Sequence, residues 1–481
     1  MTRTLSQTQR PDLFSREGGT LRQPAIYVAL EGERALSGGL RAPLAGVDEL
    51  RIGRGATRAF RLEEGRKAVL EVPDPRMSSQ HARVVREEGG WVLEDLGSTN
   101  GTYVESRRTA QAVLDEPTVI TLGATCFLFD PEEAVPEGAA AVAVDSASMT
   151  ARPRGTATLV PLVEQAMPRL VRVAMSKLSV LLLGESGAGK EVLARTIHAL
   201  SGRTGPFVAI NCGALAPTLV ESQLFGHLKG AFSGATRDEP GLIRASSGGT
   251  LFLDEIGELS ANAQATLLRV LQEREVLPIG GTKPVPVDLR VVAATLKPID
   301  DAPTFRADLY ARVAAFVHRL APLRDRRGDL GVLVSDLLPR VAGERAARVR
   351  FGSDLATALV CHAFPLNVRE LEHLLSVALV TSTDDLLRLE SVGDALKPPR
   401  ERAAREASSG RAGGRESSAS RPASAPRELG AEDLKLKDEL TAALTATRGN
   451  VSEVARTMGK TRMQIHRWMK RFGLDPDAFR G

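Results

Sequence analysis

From about Pro24 to Asp130 the apolar residues fall in short runs, AIYVAL, AVLEV, ARVVRE, WVLEDL and CFLFD, separated by Gly, Pro and Asn turns. That spacing predicts an all-β sandwich over residues 24–130. The pattern then changes. Across 156–395, apolar runs such as LSVLLLG, PFVAINC, TLFLDEI and LRVVAAT alternate with stretches of helical period. Buried strands alternating with helices predict a parallel α/β sheet, with a helical subdomain following from about Asp329. A third segment, 431–481, is short and helical, and Gly459 breaks the apolar period of its last two helices. No internal repeat is visible.

Two stretches interrupt these patterns. Residues 131–155, rich in Ala, Pro and Glu, keep neither a helical nor a strand period and read as a linker. Residues 396–430, with ERAAREASSGRAGGRESSASRPASAP at their heart, hold almost nothing to bury and read as a flexible tether. The expected organisation is therefore multi-domain: β-sandwich, α/β domain with helical subdomain, and a small all-α domain.

Composition narrows the class. The 481 residues carry 63 Lys and Arg against 59 Asp and Glu, with 43% hydrophobic and 4% aromatic residues. Apolar stretches such as Leu178 to Leu183 fall far short of the ~20 residues of a membrane span, so a membrane protein is not expected. The polar N-terminus lacks the apolar core of a secretory signal. Cys126, Cys212 and Cys361 are scattered without CxxC spacing, which suggests neither disulfides nor zinc and fits a reducing cytoplasm. The overall charge is nearly balanced. Residues 441–481, however, carry eight Lys or Arg against three acidic residues.

Candidate chemistry is densest in the α/β segment. Gly184, Glu185, Ser186, Gly187, Ala188, Gly189 and Lys190 follow one apolar run and precede the helical stretch EVLARTIHAL. The glycines let successive N–H groups converge on phosphate oxygens at a helix N-terminus, and Lys190 adds a positive charge for the β and γ phosphates. Glu191 stands where a magnesium-ligating Ser or Thr usually sits, so metal coordination falls to other residues. In GGTLFLDE an apolar strand ends in two carboxylates, Asp254 to hold Mg²⁺ and Glu255 to polarise the attacking water. Taken singly, the first motif could be a plain connection and the second a solvated helix cap. Their order on successive strands points to nucleotide hydrolysis.

GESGAGKE, NCGAL, QLFGHLKGAFSGA, GGTLFLDEI, FRADLYARV, APLRDRRGDL and NVRELEH together resemble the AAA+ ATPase domain of the sigma-54-dependent transcription activators, in the same order along 156–395. The resemblance implies ATP and Mg²⁺ as cofactors and binding of nucleotide by residues 184–191. Gly230, Ala231, Phe232, Ser233, Gly234 and Ala235 are similar to the family's GAFTGA loop, which contacts sigma-54 of the RNA polymerase holoenzyme. Small residues around one Phe make a mobile hairpin tip with a single adhesive side chain. By the same resemblance Asn211 restrains the catalytic glutamate, Arg306 and Arg312 are the arginine fingers that reach a neighbouring subunit's γ-phosphate in a hexameric or heptameric ring, and Arg369 is the second sensor. Three positions depart from the pattern. Ser233 replaces the loop threonine, Leu296 stands at the first sensor in place of Asn, and Leu366 replaces the Gly of a WPGN turn. Slowed hydrolysis and weakened coupling to sigma-54 are the expectations.

In the β-rich segment, Gly53-Arg54, Ser78-Ser79-Gln80-His81 and Gly97-Ser98-Thr99-Asn100-Gly101-Thr102 resemble the loops of a forkhead-associated (FHA) domain, which binds phosphothreonine peptides. Arg54 would meet the phosphate as a charged fork, Ser78 and Thr99 would donate hydroxyl hydrogen bonds, and Asn100 would hold the peptide backbone. Ser79 sits where the family often has Arg or Asn. His81 is expected to brace the loop rather than touch phosphate.

The C-terminal segment reads as helix, Gly turn, helix. Ile465, Met469 and Phe472 should pack against Val451, Val454 and Met458, leaving Thr461, Arg462, Gln464 and Arg467 outward. It resembles the Fis-type DNA-binding domain that ends these activators, and dimeric binding to upstream DNA is implied. Trp468 either packs on the first helix or stacks near the DNA backbone. The expectation is thus a cytoplasmic activator gated by phosphothreonine. Its rivals are a phospho-regulated DNA-binding protein with a slow or decayed ATPase, and a AAA+ remodeller of another target.

Overall fold

The computed structural model describes residues 19–214, 217–300, 302–396 and 431–447, together with positions 454, 457, 458, 468 and 469. The chain forms two compact units, divided after Arg402.

The first unit opens with a β-sandwich. Its strands are Thr20–Glu31 (β1), Leu40–Pro43 (β2), Glu49–Arg54 (β3), Ala59–Glu63 (β4), Lys67–Val72 (β5), Ala82–Glu87 (β6), Gly90–Asp95 (β7), Thr102–Val104 (β8), Arg107–Thr109 (β9), Gln111–Leu114 (β10), Thr118–Leu122 (β11), Thr125–Pro136 (β12) and Val144–Asp145 (β13). One sheet has the order β13-β2-β1-β12-β11-β8-β9, the other β10-β7-β6-β3-β5-β4. β5 alternates as a half-buried strand should, with Ala68, Leu70 and Val72 inward. β1 does not alternate: from Ala25 to Glu31 every residue is buried. Ile26 and Val28 enter the core between the two sheets, while Tyr27, Ala29 and Leu30 enter a second core. β12 divides likewise, Phe127 and Phe129 inward, Cys126 and Leu128 outward.

That second core is shared with the helical subdomain. Its other side comes from Leu330–Ala342, Ser353–Cys361 and Asn367–Thr381, through Leu330, Val334, Leu338, Leu355, Leu371 and Leu375 among others. The sandwich and the lid are therefore one packed body. Thr121 Oγ1 lies 2.8 Å from Thr357 Oγ1 inside this seam. Residues 131–155, expected as a linker, prove to be built into it. β12 runs through Pro136 and pairs with the start of β1, and β13 pairs with β2. Glu133 is buried against Arg41, Oε2 3.0 Å from Nε, and accepts from the Tyr27 hydroxyl. This arrangement satisfies the charges that burial would otherwise penalise. The sandwich also begins at Thr20, four residues before the apolar runs.

The α/β domain centres on a parallel sheet of Val180–Leu183 (β14), Phe207–Asn211 (β15), Thr250–Asp254 (β16), Arg290–Thr295 (here β17) and Phe316–Arg319 (β18), in the order β15-β16-β17-β14-β18. Both faces are covered. Leu181, Leu251 and Val291 pack on one side with Ala261–Glu273, and Val180, Phe252 and Val292 on the other with Pro161–Ala174 and Lys190–Leu200. Cys126, Cys212 and Cys361 are unpaired.

In the second unit, helix Ala431–Ala446 contributes Leu440 and Leu444 to a small core with Val454 and Met469. Met458 and Trp468 pack partly against it. No helix among the described residues is long and apolar enough to cross a membrane.

Candidate functional site

The loop between β14 and helix Lys190–Leu200 owes its shape to glycine. Gly187 and Gly189 have φ of 73° and 104°, a region that side chains resist. Gly187 has a second reason to lack a side chain, because a Cβ there would strike the Leu366 carbonyl and Arg369. Lys190 is almost buried, with Nζ donating to the Gly184 carbonyl at 2.9 Å and lying 3.3 Å from Glu255 Oε1.

At the ends of the neighbouring strands, Asn211 lies in register with Asp254. Burial pushes the Asp254 carboxyl up, Lys190 draws it back and Glu255 pushes it up again, leaving it above its usual range. Glu255 holds a left-handed backbone, φ 51°, costly for a residue with a side chain. Its second carboxylate oxygen accepts the Leu296 amide at 3.0 Å. The Leu296 side chain is half exposed, yet its backbone serves the site. Asn211 does not bond to Glu255. Its Oδ1 accepts the Gly213 amide at 2.9 Å, and the contacts that hold Glu255 are Lys190 and the Leu296 amide. Burial and the two carboxylates push the adjacent Cys212 thiol up to about 12, so it stays protonated.

The lid reaches the loop from the other side. Arg369 Nη1 donates to Ser186 Oγ at 2.9 Å and the Val368 amide to the Gly187 carbonyl at 3.0 Å. Asn367 is fully buried. It accepts the Leu323 amide at 2.8 Å and donates to the Ser186 carbonyl at 3.0 Å and to Glu185 at 3.1 Å. Arg324 grips Glu185 with both nitrogens, at 2.7 and 2.6 Å, and holds that carboxyl below its usual range. Glu185, Arg324 and Asn367 escaped the sequence reading as a cluster, although all three lie in its motifs. The loss of glycine at Leu366 has no backbone consequence. Leu366 sits at φ −105°, and the left-handed positions of that turn are Phe364 and Asn367.

Arg306 and Arg312 are exposed, and neither forms a hydrogen bond or ion pair with the loop 184–191. Arg306 pairs with Asp308 at 2.8 Å, and its amide donates to Gln264. The hairpin at Gly230–Ala235 closes through Gly230 N to Ala235 O at 2.9 Å and Ala235 N to Phe232 O at 3.0 Å. Phe232 is 42% exposed, and its ring lies 4.9 Å from that of His227, which Ser222 holds at 2.8 Å. Ser233 is exposed at the tip.

On the sandwich, Arg54 at the end of β3 meets the adjoining loops that carry Ser78, Ser79, Thr99 and Asn100. The Arg54 amide donates to the Ser78 carbonyl at 2.9 Å, the Thr99 amide to Ser78 Oγ at 3.2 Å, and Asn100 Nδ2 to the Arg76 carbonyl at 2.7 Å. The exposed Arg54 guanidinium has no partner among the described residues. His81 is fully buried, and burial lowers its basicity. It accepts from the Ser78 amide at 3.1 Å and lies 3.2 Å from the Gly101 carbonyl, the bracing position expected of it. Two unforeseen carboxylates scaffold the loops. Asp95 accepts from the Gly97 and Ser98 amides and from the Ser98 and Thr102 hydroxyls. Asp74 accepts from Arg76, Ala124 and Thr125. The Asp95-x-x-Ser98 spacing, usual in capped turns, was the available signal. Thr461, Arg462, Gln464 and Arg467 lie outside the described residues.

A glycine-shaped loop between a parallel strand and a helix, with Lys190 opposite a strand-end Asp-Glu pair and a helical lid behind it, defines a AAA+ ATPase domain, here preceded by a β-sandwich and followed by a C-terminal helical unit. Family comparison is specific on each part: residues 158–318 match the sigma-54 interaction domain, 50–123 the FHA domain, 324–409 the AAA+ ATPase lid domain and 437–472 the Fis family of bacterial regulatory proteins. The four matches cover successive parts of the chain, and sigma-54-dependent activators are among its relatives. The Nif-specific regulatory protein of Rhodobacter capsulatus is 45% identical over 236 residues, 48% of this chain and 41% of that protein. The sigma-54-dependent activator SfnR of Pseudomonas putida is 45% identical over 232 residues, 47% of this chain and 63% of its own. The chain thus spans less than two thirds of these relatives. Among solved structures, NtrX from Brucella abortus in complex with ATP is 28% identical over 64% of this chain and 67% of its own, with a TM-score of 0.45.

Proposed function

We propose that this chain hydrolyses ATP in an oligomeric ring to remodel the sigma-54 RNA polymerase holoenzyme from an upstream DNA site, in the cytoplasm, under control of phosphothreonine binding to its FHA domain. The observation that carries this reading is the meeting of Lys190, Asp254, Glu255 and the Leu296 amide at the ends of parallel strands, while Arg306 and Arg312 stand away from it. Arginines placed so are available to a neighbouring copy, which makes activity depend on assembly.

Residues 184–191 would wrap the phosphates with backbone amides, and Lys190 would exchange Glu255 for phosphate oxygens. Glu255, freed on one side and still held by Leu296, would orient the attacking water and take its proton. Arg306 and Arg312 of the next subunit, with Arg369 from the lid, would balance charge developing on the phosphate. Asp254 suits Mg²⁺: its carboxyl is half-buried beside a second one, and magnesium commonly takes one or two protein carboxylates plus substrate phosphates. When bound, the ion would neutralise phosphate charge. Phe232 would then present the hairpin to sigma-54, and the Fis-type helices would hold the DNA.

The test is ATP turnover against protein concentration. Turnover per subunit should rise with concentration and vanish in Arg306→Ala, and mixing Arg306→Ala with Glu255→Gln should restore part of it, since each supplies what the other lacks. Flat, negligible turnover would leave the phospho-regulated DNA-binding protein with a decayed motor.

A further inference from the structure

The two candidate sites of the first unit are joined through its lid. Arg76 lies in the loop that carries Ser78, and its carbonyl accepts Asn100. Its guanidinium lies 3.1 Å from Glu33, in the turn that follows β1. The other oxygen of Glu33 lies 3.5 Å from Arg350, which belongs to the lid. Glu33 is itself only 15% exposed, whereas both arginines are about half exposed. One mostly buried carboxylate thus bridges a phosphopeptide-loop arginine and a lid arginine.

A backbone route runs beside it. Asp74 takes the Arg76 amide at 2.8 Å and the Ala124 amide at 2.7 Å. Ala124 accepts the Gly32 amide at 2.9 Å, and Gly32 accepts the Phe351 amide at 2.8 Å. A Cβ on Gly32 would strike both the Ala124 and Phe351 carbonyls, so the approach of sandwich to lid is as close as backbone permits. Phe351 is buried in the shared core with Leu371 and Leu374, on the helix whose first turn carries Asn367 and Arg369 against the loop 184–191.

We infer that Glu33 is a positioning residue that couples the phosphothreonine site to the nucleotide site, so that a phosphopeptide on the FHA loops strengthens nucleotide binding in the same chain. This rests on the phosphothreonine reading above. A peptide that fixes the loop around Arg76 and Asn100 also fixes Glu33 between its two arginines. The lid is then held against Ser186 and Gly187, and nucleotide meets a preformed site. By linkage, nucleotide must strengthen peptide binding by the same factor.

The experiment uses the full chain, a fluorescent ADP analogue and a degenerate library of phosphothreonine peptides, with unphosphorylated peptides as control. Peptide binding is followed separately by anisotropy. The phosphopeptides should tighten nucleotide binding about fivefold, near the lower end of typical couplings. Glu33→Gln, which keeps the shape and loses the charge, should bring that factor close to one. Arg350→Gln should do the same while leaving peptide affinity intact, since it lies outside the peptide loop. Peptide binding without any shift in the wild type overturns the coupling, as does a full shift in both variants. Failure of every phosphopeptide to bind would overturn the phosphothreonine reading itself, and the anisotropy measurement tells the two apart.

Discussion

Lys190 and Glu255, with Nζ 3.3 Å from Oε1, neutralise one another across the candidate nucleotide site. The lysine side chain is 8% exposed and the glutamate 28%, so the pair is shielded from screening by salt. Nucleotide has to break this pair. Glu255→Gln should therefore keep or raise ATP affinity while lowering turnover roughly hundredfold or more, the usual worth of a general base. Isothermal calorimetry and single-turnover hydrolysis check the two halves, and weaker ATP binding in this variant would contradict the exchange.

Phe232 sets its ring against His227 and is 42% exposed. Phe232→Ala should change stability by no more than about 0.5 kcal/mol, as for other exposed positions. It should leave ATP turnover within twofold and abolish sigma-54-dependent transcription in a reconstituted assay. Transcription that survives the substitution would point to a different remodelling target.

The unpartnered Arg54 guanidinium gives the phosphothreonine reading its sharpest test. A charged hydrogen bond is worth about 1.5–3 kcal/mol, so Arg54→Ala should weaken phosphopeptide binding about tenfold to a hundredfold. Affinity for the unphosphorylated peptide should not move. Equal losses for both peptides would mean that Arg54 shapes the loop rather than reads the phosphate.

Asp95 makes the sandwich sensitive to acid. Burial would raise its carboxyl, but hydrogen bonds from Ser98, Thr102 and the Gly97 amide outweigh this and bring it to about 2, from 3.8. A depressed carboxyl stabilises the fold fully above its unfolded value and loses that contribution as pH falls from there through about 2. Discounted for solvent screening, the contribution is about 1 kcal/mol. Asp95→Asn should lower the melting temperature at pH 7 and flatten its decline between about pH 4 and 2 relative to wild type. An unchanged acid profile would remove Asp95 from the scaffold.

Leu366 offers a test in the opposite direction. Its φ of −105° is comfortable for any residue. Leu366→Gly should not accelerate ATP turnover, and through unfolded-state entropy it should cost about 0.5–1 kcal/mol, measurable by urea unfolding. Faster turnover would restore the view that this position limits the enzyme.

The chemistry of the nucleotide loop was legible because its residues are contiguous and their spacing is dictated by phosphate. Long-range partners were not. Glu133 looks solvated in its Ala, Pro and Glu surroundings because Arg41, which justifies its burial, lies far away along the chain. Asn211 stands in register with Asp254 while its side chain accepts from its own loop, a contact that motif spacing does not show. One signal was present and passed over. AIYVAL and CFLFD are continuous apolar runs, whereas a strand with one wet face alternates. Their lack of alternation marked a sheet covered on both sides.

That double cover bears on how such a protein changes over generations. Tyr27, Ala29, Cys126 and Leu128 give the sandwich an apolar face that this lid covers, and Leu330, Val334 and Leu355 give the lid the apolar face that meets it. A sensor acquired by recombination at residue 150 would arrive with the wrong surface, and a sensor deleted there would leave an apolar wall in water. Residues 20–396 are therefore expected to be inherited as one piece.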